Sequence, residues 1–107
     1  MNQNTVILEG VLAREPRTFE LPSGKKKVRA TVVIERKHDT KEGSKVFTDY
    51  VDTTFWGKSA DAMAVLAAGT QVQVTGRVRT GSYEKNGEKR WITEIVAEGF
   101  SVAKAAR

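Results

Sequence analysis

The run Lys45-Val-Phe-Thr-Asp-Tyr-Val-Asp-Thr-Thr-Phe-Trp-Gly-Lys58 constrains this chain more than any other stretch. Successive side chains of a strand point to opposite faces, so a strand here sorts its residues into two sets. One set is Val46, Thr48, Tyr50, Asp52, Thr54 and Trp56; the other is Phe47, Asp49, Val51, Thr53 and Phe55. Val51 and Phe55 belong in a core. That leaves Tyr50 and Trp56 on the opposite side, six residues and about 20 Å apart along the strand. Two readings of that face are open. It is a platform on which flat rings such as nucleic acid bases stack, or it is the second side of a core strand or a subunit interface.

The rest of the chain supplies the partners of this strand. Val6–Leu12 is a short apolar run read as a first strand, with Gly10 marking a bulge or a close backbone approach. Arg14 to Thr18 reads as a basic turn, Leu21-Pro-Ser-Gly24 as a second turn, and Lys25-Lys-Lys27 as a solvated loop tip. Val28, Ala30, Val32 and Ile34 alternate inward against Arg29, Thr31, Val33, Glu35 and Lys37 outward, a second strand. His38 to Ser44 reads as a polar loop before the opening run.

After that run the period changes. Ser59 is placed to cap a helix, Asp61 lies in its first turn, and Ala60, Met63, Ala64 and Ala67 follow helical spacing up to Gly69. The apolar face of this short helix reads as a plug over the core. From Thr70 to Thr80 alternation returns, with Val72, Val74, Gly76 and Val78 inward and Gln71, Gln73, Thr75, Arg77 and Arg79 outward. Asn86-Gly87 signals a hairpin, followed by a fifth strand from about Lys89 to Ala97 that Phe100 to Val102 extends. Residues 103–107 read as a short frayed end after a single domain over residues 1–102. Three strands, a short helix and two strands is the order of an all-β, five-stranded OB-fold barrel with its helix between strands 3 and 4. A small sandwich or an SH3-like barrel is the alternative.

Charge and composition narrow the function. Eighteen lysines and arginines against 13 acids give a net charge of +5, which favours a polyanionic partner. The absence of cysteine excludes disulfides, thiolate chemistry and cysteine-based metal sites. The amino terminus has no basic start and only a short apolar run, an argument against a signal peptide and for the cytoplasm. No stretch approaches the length of a membrane span.

Catalytic constellations fail one by one. Trp56-Gly-Lys-Ser59 ends like a phosphate-binding loop, but Asp52 stands where that loop needs its first glycine. One histidine without cysteine offers no zinc site and little footing for nucleophilic catalysis. Asp49 and Asp52 face opposite ways on a strand, a poor metal pair. The expectation is therefore no enzyme, no metal and no cofactor.

What survives is an interleaving of aromatic and basic side chains. Tyr50 and Trp56 stand on the third strand, Arg77 and Arg79 point outward on the fourth, and Tyr83 sits at the base of the hairpin. Arg36, Lys37, Lys58 and Arg90 lie close by in sequence. Rings stack bases whatever their identity, and cations track phosphates. A duplex hides its base faces, so such a platform selects single strands. Each residue also has a plainer reading. Tyr83 covers a turn, Arg77 and Arg79 are ordinary exposed strand residues, His38 is a solvated histidine, and Trp91 belongs to the core or an interface.

In order along the chain, Val6-Ile-Leu-Glu-Gly10, Arg14-Glu-Pro16, Leu21-Pro-Ser-Gly24, Phe55-Trp-Gly-Lys-Ser-Ala-Asp61 and the run from Gly69 to Thr80 resemble the bacterial single-stranded DNA-binding protein family. Tyr83-Glu, Asn86-Gly, Lys89-Arg90 and Thr93 to Ala97 continue the resemblance, which spans about Asn4 to Val102. It implies an OB-fold, sequence-tolerant binding of single-stranded DNA in replication, recombination or repair, and a homotetramer, with a dimer as the alternative. Its stacking aromatics fall on Tyr50, Trp56 and Tyr83, a further one near His38, and its basic contacts on Lys58, Arg79 and Arg90. Two departures stand out. The family's long tail with an acidic tip has no counterpart before Arg107, so tail-mediated recruitment of enzymes is not expected. Asp52 occupies a position where the best-studied relatives of that family carry a basic residue. The rival reading is a primosomal adaptor of the same fold, acting mainly through protein contacts.

Overall fold

The computed structural model describes residues 2–104. Its elements are β1 (Val6–Leu12), β2 (Arg17–Glu20), β3 (Lys26–Thr40), β4 (Gly43–Trp56), α1 (Lys58–Ala64), β5 (Gln71–Lys85) and β6 (Glu88–Lys104). The sheet order is β1-β5-β6-β4-β3-β2, and a further β1–β3 pairing closes it. Five strands thus form a closed barrel in the OB-fold order, with parallel pairing only where β4 meets β6 at Thr53 and Thr54. The four-residue β2 pairs with β3 alone.

The alternation anticipated in β3 and β5 builds the core. Val28, Ala30, Val32, Val72 and Val74 are buried together with Leu12, Phe55, Ala60 and Met63. Phe55 meets Phe100 edge-on, with centroids 5.6 Å apart at 88°, a geometry favoured by the ring quadrupoles. Val51 is only partly buried. Ala60 and Met63 of α1 reach into this core, so the helix does plug it. The helix begins differently from expectation. Gly57 holds the N-cap position at φ +70°, and its carbonyl accepts from the Ala60 and Asp61 amides. The Ser59 hydroxyl donates back to the Trp56 carbonyl at 3.0 Å and caps nothing. The helix also stops earlier, at Ala64, leaving Ala67 exposed beyond it.

Two glycines are required by close approach. A Cβ on Gly10 would lie 2.9 Å from Val32 Cγ1 and nearer still to the Val33 carbonyl oxygen, where β1 crosses β3. A Cβ on Gly76 would lie 2.9 Å from Ala97 Cα and nearer still to the Val96 carbonyl oxygen. There the β5–β6 register shifts by a residue, the bend that a strand glycine permits.

Beyond the barrel the hairpins continue as two-stranded arms. From Arg77 outward β5 pairs only with β6, up to the Asn86-Gly87 turn, whose φ values of +54° and +79° fit the expected tight hairpin. Val78, expected inward, is exposed on this arm because no barrel wall remains to cover it. The stretch 38–44, expected to be a loop, is strand. His38 pairs with Lys45 and Thr40 with Gly43, leaving only Lys41 and Glu42 in the turn. Its polar side chains hold the pairing: Thr40 Oγ1 donates to the Gly43 carbonyl at 2.6 Å and Ser44 Oγ to Asp39 Oδ1 at 2.7 Å. At the carboxyl end, Ala103 and Lys104 belong to β6 instead of a frayed end, and 105–107 lie outside the described residues.

Candidate nucleic-acid interface

Cross-strand partners in an antiparallel pair share a face, so the register assigns each strand residue to one of the two faces of the sheet. Across β4 and β3 the outer face carries Trp56 beside Lys27, Thr54 beside Arg29, Asp52 beside Thr31, and Tyr50 beside Val33. Tyr50 is 67% exposed and Trp56 half-buried, while Phe55 between them in sequence is fully enclosed. The opening alternation therefore divides β4 as read.

Trp56 lines an open cleft of about 880 Å³ together with Leu21, Lys25, Lys26, Gly57, Asp61 and Arg79. An indole, three cations and one carboxylate suit a base held by its face with its phosphate nearby. Lys25 and Lys26, which looked like a solvated loop tip, belong to this cleft because the β2–β3 turn folds them toward Trp56. Lys58 is exposed at the start of α1, two residues from Trp56.

The β5–β6 arm joins this face through one cluster. Arg77, Arg79 and Tyr83 share a face with Glu94 and Arg90. Arg79 pairs with Glu94 Oε1, and Thr54 on β4 makes a long 3.5 Å contact to Glu94 Oε2. This links the arm to the outer face of β4 and offsets part of the Arg79 charge. Tyr83, 49% exposed, stands directly across from Arg90, which pairs loosely with Glu88 at 3.3 Å.

The β3–β4 arm separates its candidates. Lys37 lies across from Val46 on the Tyr50 face. Arg36 and His38 lie on the other face, with Phe47, Asp49 and Lys45. Arg36 is engaged there. Its Nε donates to Asp49 Oδ2 at 2.7 Å and its guanidinium lies 5.4 Å from the Phe47 ring centroid. The Asp49 hydrogen bond, then its charge, raises the Arg36 pKa above the ordinary value. Arg36 and His38 are thus brought to the opposite side of the sheet from Tyr50.

Two further aromatics are exposed, Trp91, which is not in the core, and Phe19, which the sequence reading did not single out. Trp91, assigned there to core or interface, is 71% exposed with the Lys89 ammonium 4.6 Å from its ring. It is no part of the core, because it sits on the arm's continuation of the barrel's inner face, opposite Tyr83. Phe19 lies on β2, an all-exposed strand without alternation of burial to announce it, beside Lys27 and Arg29. Among the described residues no group of three histidines, aspartates or glutamates could hold a metal ion, and no helix is long and apolar enough to cross a membrane.

Comparison with known proteins agrees with this architecture. The chain is 32% identical over 103 residues to single-stranded DNA-binding protein 2 of Streptococcus agalactiae, covering 95% of this chain and 78% of that one. It is 35% identical over 98 residues to single-stranded DNA-binding protein 2 of Clostridium acetobutylicum, covering 89% and 72%. Among solved structures, a deletion variant of the Thermus aquaticus single-stranded DNA binding protein superposes with a TM-score of 0.83 at 23% identity. This chain spans about half of that one, 51%, while 95% of this chain is covered. The Plasmodium falciparum SSB in complex with ssDNA gives 0.77 at 20% identity, covering 95% of this chain and 94% of that one. At such identities both speak to the fold alone. The model of the single-strand binding protein family matches residues 3–103, nearly the whole chain, and with relatives above 30% identity the chain belongs to that family.

Proposed function

We propose that this protein binds and protects single-stranded DNA without sequence preference, in DNA replication, recombination or repair. The observation that carries the reading is the outer face of β4, where exposed Tyr50 and half-buried Trp56 flank a row of polar residues beside a lysine-lined cleft. Bases stack on Tyr50, Trp56 and, on the arm, Tyr83. Lys58, Arg77, Arg79, Arg90 and Lys37, with Lys25 and Lys26 of the cleft, neutralise phosphates. The names of relatives at 31–35% identity support the same reading. A homotetramer is part of the proposal. Exposed Ile7 and Val11 on the outer side of β1 support association between copies.

Titration with oligo-dT at low salt tests it by tryptophan fluorescence. Trp91 also emits, so the Trp91→Phe variant isolates Trp56. Quenching and a retained complex are expected; their absence overturns the reading. Solution mass with and without oligo-dT tests the assembly. A tetramer supports the proposal, whereas a dimer that binds DNA poorly returns the primosomal-adaptor reading. Competition with a matched RNA oligomer tests the sugar preference.

A further inference from the structure

We propose that Phe19 and the arginines around it form an additional nucleotide subsite that turns the bound strand off β4 and across the sheet. The inference rests on the reading of the β4 face as a single-stranded DNA platform. The register supplies the geometry. Phe19 pairs with Lys27 and Lys27 with Trp56, so the three stand in one row across β2, β3 and β4 on the same outer face. Neighbouring strands lie about 4.8 Å apart, which puts Phe19 about 10 Å from Trp56, with a lysine between them. The next row is Arg17, Arg29 and Thr54. A strand running from Tyr50 to Trp56 along β4 therefore meets a third aromatic by crossing β3 to β2, not by continuing along β4.

The chemistry of the spot suits a nucleotide. Phe19 is 37% exposed on an edge strand whose four residues are all exposed, outside the buried core, so part of an apolar ring stays open to solvent there. The Lys27 ammonium and the Arg29 guanidinium lie over its ring, 5.5 and 5.7 Å from the centroid, so the ring holds two cations where a nucleotide and its phosphate would arrive. Beside the ring is a small cavity of about 140 Å³ bordered by Arg14, Arg17 and Arg29 against Glu15 and Asp52. None of these three arginines, nor Lys27, forms an ion pair among the described residues, whereas Arg36, Arg79 and Arg90 all do. Asp52 is occupied by the Thr31 hydroxyl, which donates to its Oδ1 at 2.6 Å. Positive charge is thus left over where a phosphate would lie, next to the Asp52 carboxylate.

The test compares Phe19→Leu, Phe19→Tyr, Trp56→Ala and Arg17→Gln with the unaltered protein. Binding is read by anisotropy of labelled oligo-dT, and contacts by photocrosslinking of iododeoxyuridine oligomers with mapping of the linked peptide. Phe19→Leu keeps an apolar cover on the edge strand and removes only the π-face. It is expected to weaken binding about five-fold or more, Phe19→Tyr to restore it, and the peptide holding Phe19 to crosslink. Arg17→Gln is expected to lower the log–log salt slope by about 0.7. Unchanged affinity for Phe19→Leu alongside a loss for Trp56→Ala overturns the subsite and leaves the β4 platform standing. No binding by the unaltered protein overturns both.

Discussion

Trp56 and Phe55 are adjacent in sequence and lie on opposite faces of β4, so replacing each in turn separates recognition from stability. Phe55 is fully enclosed and touches Phe100 edge-on. Phe55→Leu keeps most of the volume, a change that costs up to about 1.5 kcal/mol. It also forfeits the aromatic pair, worth about 0.5–1.5 kcal/mol. The expected loss is about 1–3 kcal/mol of stability. At about 4–8 °C per kcal/mol for a domain of this size, the melting temperature falls by roughly 5–20 °C. Trp56 lines the outer cleft and takes no part in the buried cluster. Trp56→Ala therefore leaves the melting temperature within a few degrees and weakens oligo-dT binding by about 1–3 kcal/mol, or 5- to 150-fold. Thermal melts by circular dichroism and anisotropy titrations at one protein concentration read both quantities. A Trp56→Ala variant that melts early and binds normally would falsify the assignment of faces.

Further outcomes follow from other contacts. Glu94→Gln releases Arg79 from its carboxylate; binding should tighten at low salt and the salt slope steepen by up to about 0.7 in a log–log titration. Arg36→Gln should leave that slope unchanged, because Arg36 is held by Asp49 on the other side of the β3–β4 arm; a drop of 0.7 would place DNA on that side as well. Gly76→Ala forces a Cβ against the backbone of Val96 and Ala97, where neither neighbour can swing away; a loss of about 1–3 kcal/mol or more is expected in urea unfolding, and an unaltered midpoint would contradict the tight crossing.

The barrel was legible because its wall strands are one-sided. Val28, Ala30 and Val32 or Val72 and Val74 alternate with polar residues, and burial of one face enforces that alternation wherever the strand touches the core. The same rule explains the misreadings. In 38–44 both faces of the hairpin arm meet water, so no apolar period exists, and Thr40, Asp39 and Ser44 resemble a loop while holding a strand pair. β2 is silent for the same reason. Val78 and Trp91 continue the inner parity of β5 and β6 past the point where a barrel wall covers them.

By itself, the sequence determined the parity of β4, and with it the separation of Phe55 from Tyr50 and Trp56, because side-chain direction along a strand is a local property of the backbone. It also determined the Asn86-Gly87 turn, since positive φ at two successive residues is a local demand. Which side chains meet across strands was decided only by the tertiary structure. Register between segments far apart in sequence brings Lys25, Lys26 and Arg79 to Trp56, sets Arg36 and His38 on the far side, and aligns Phe19 with Lys27 and Trp56. That register depends on closure of the barrel around one core, a constraint that no single segment carries.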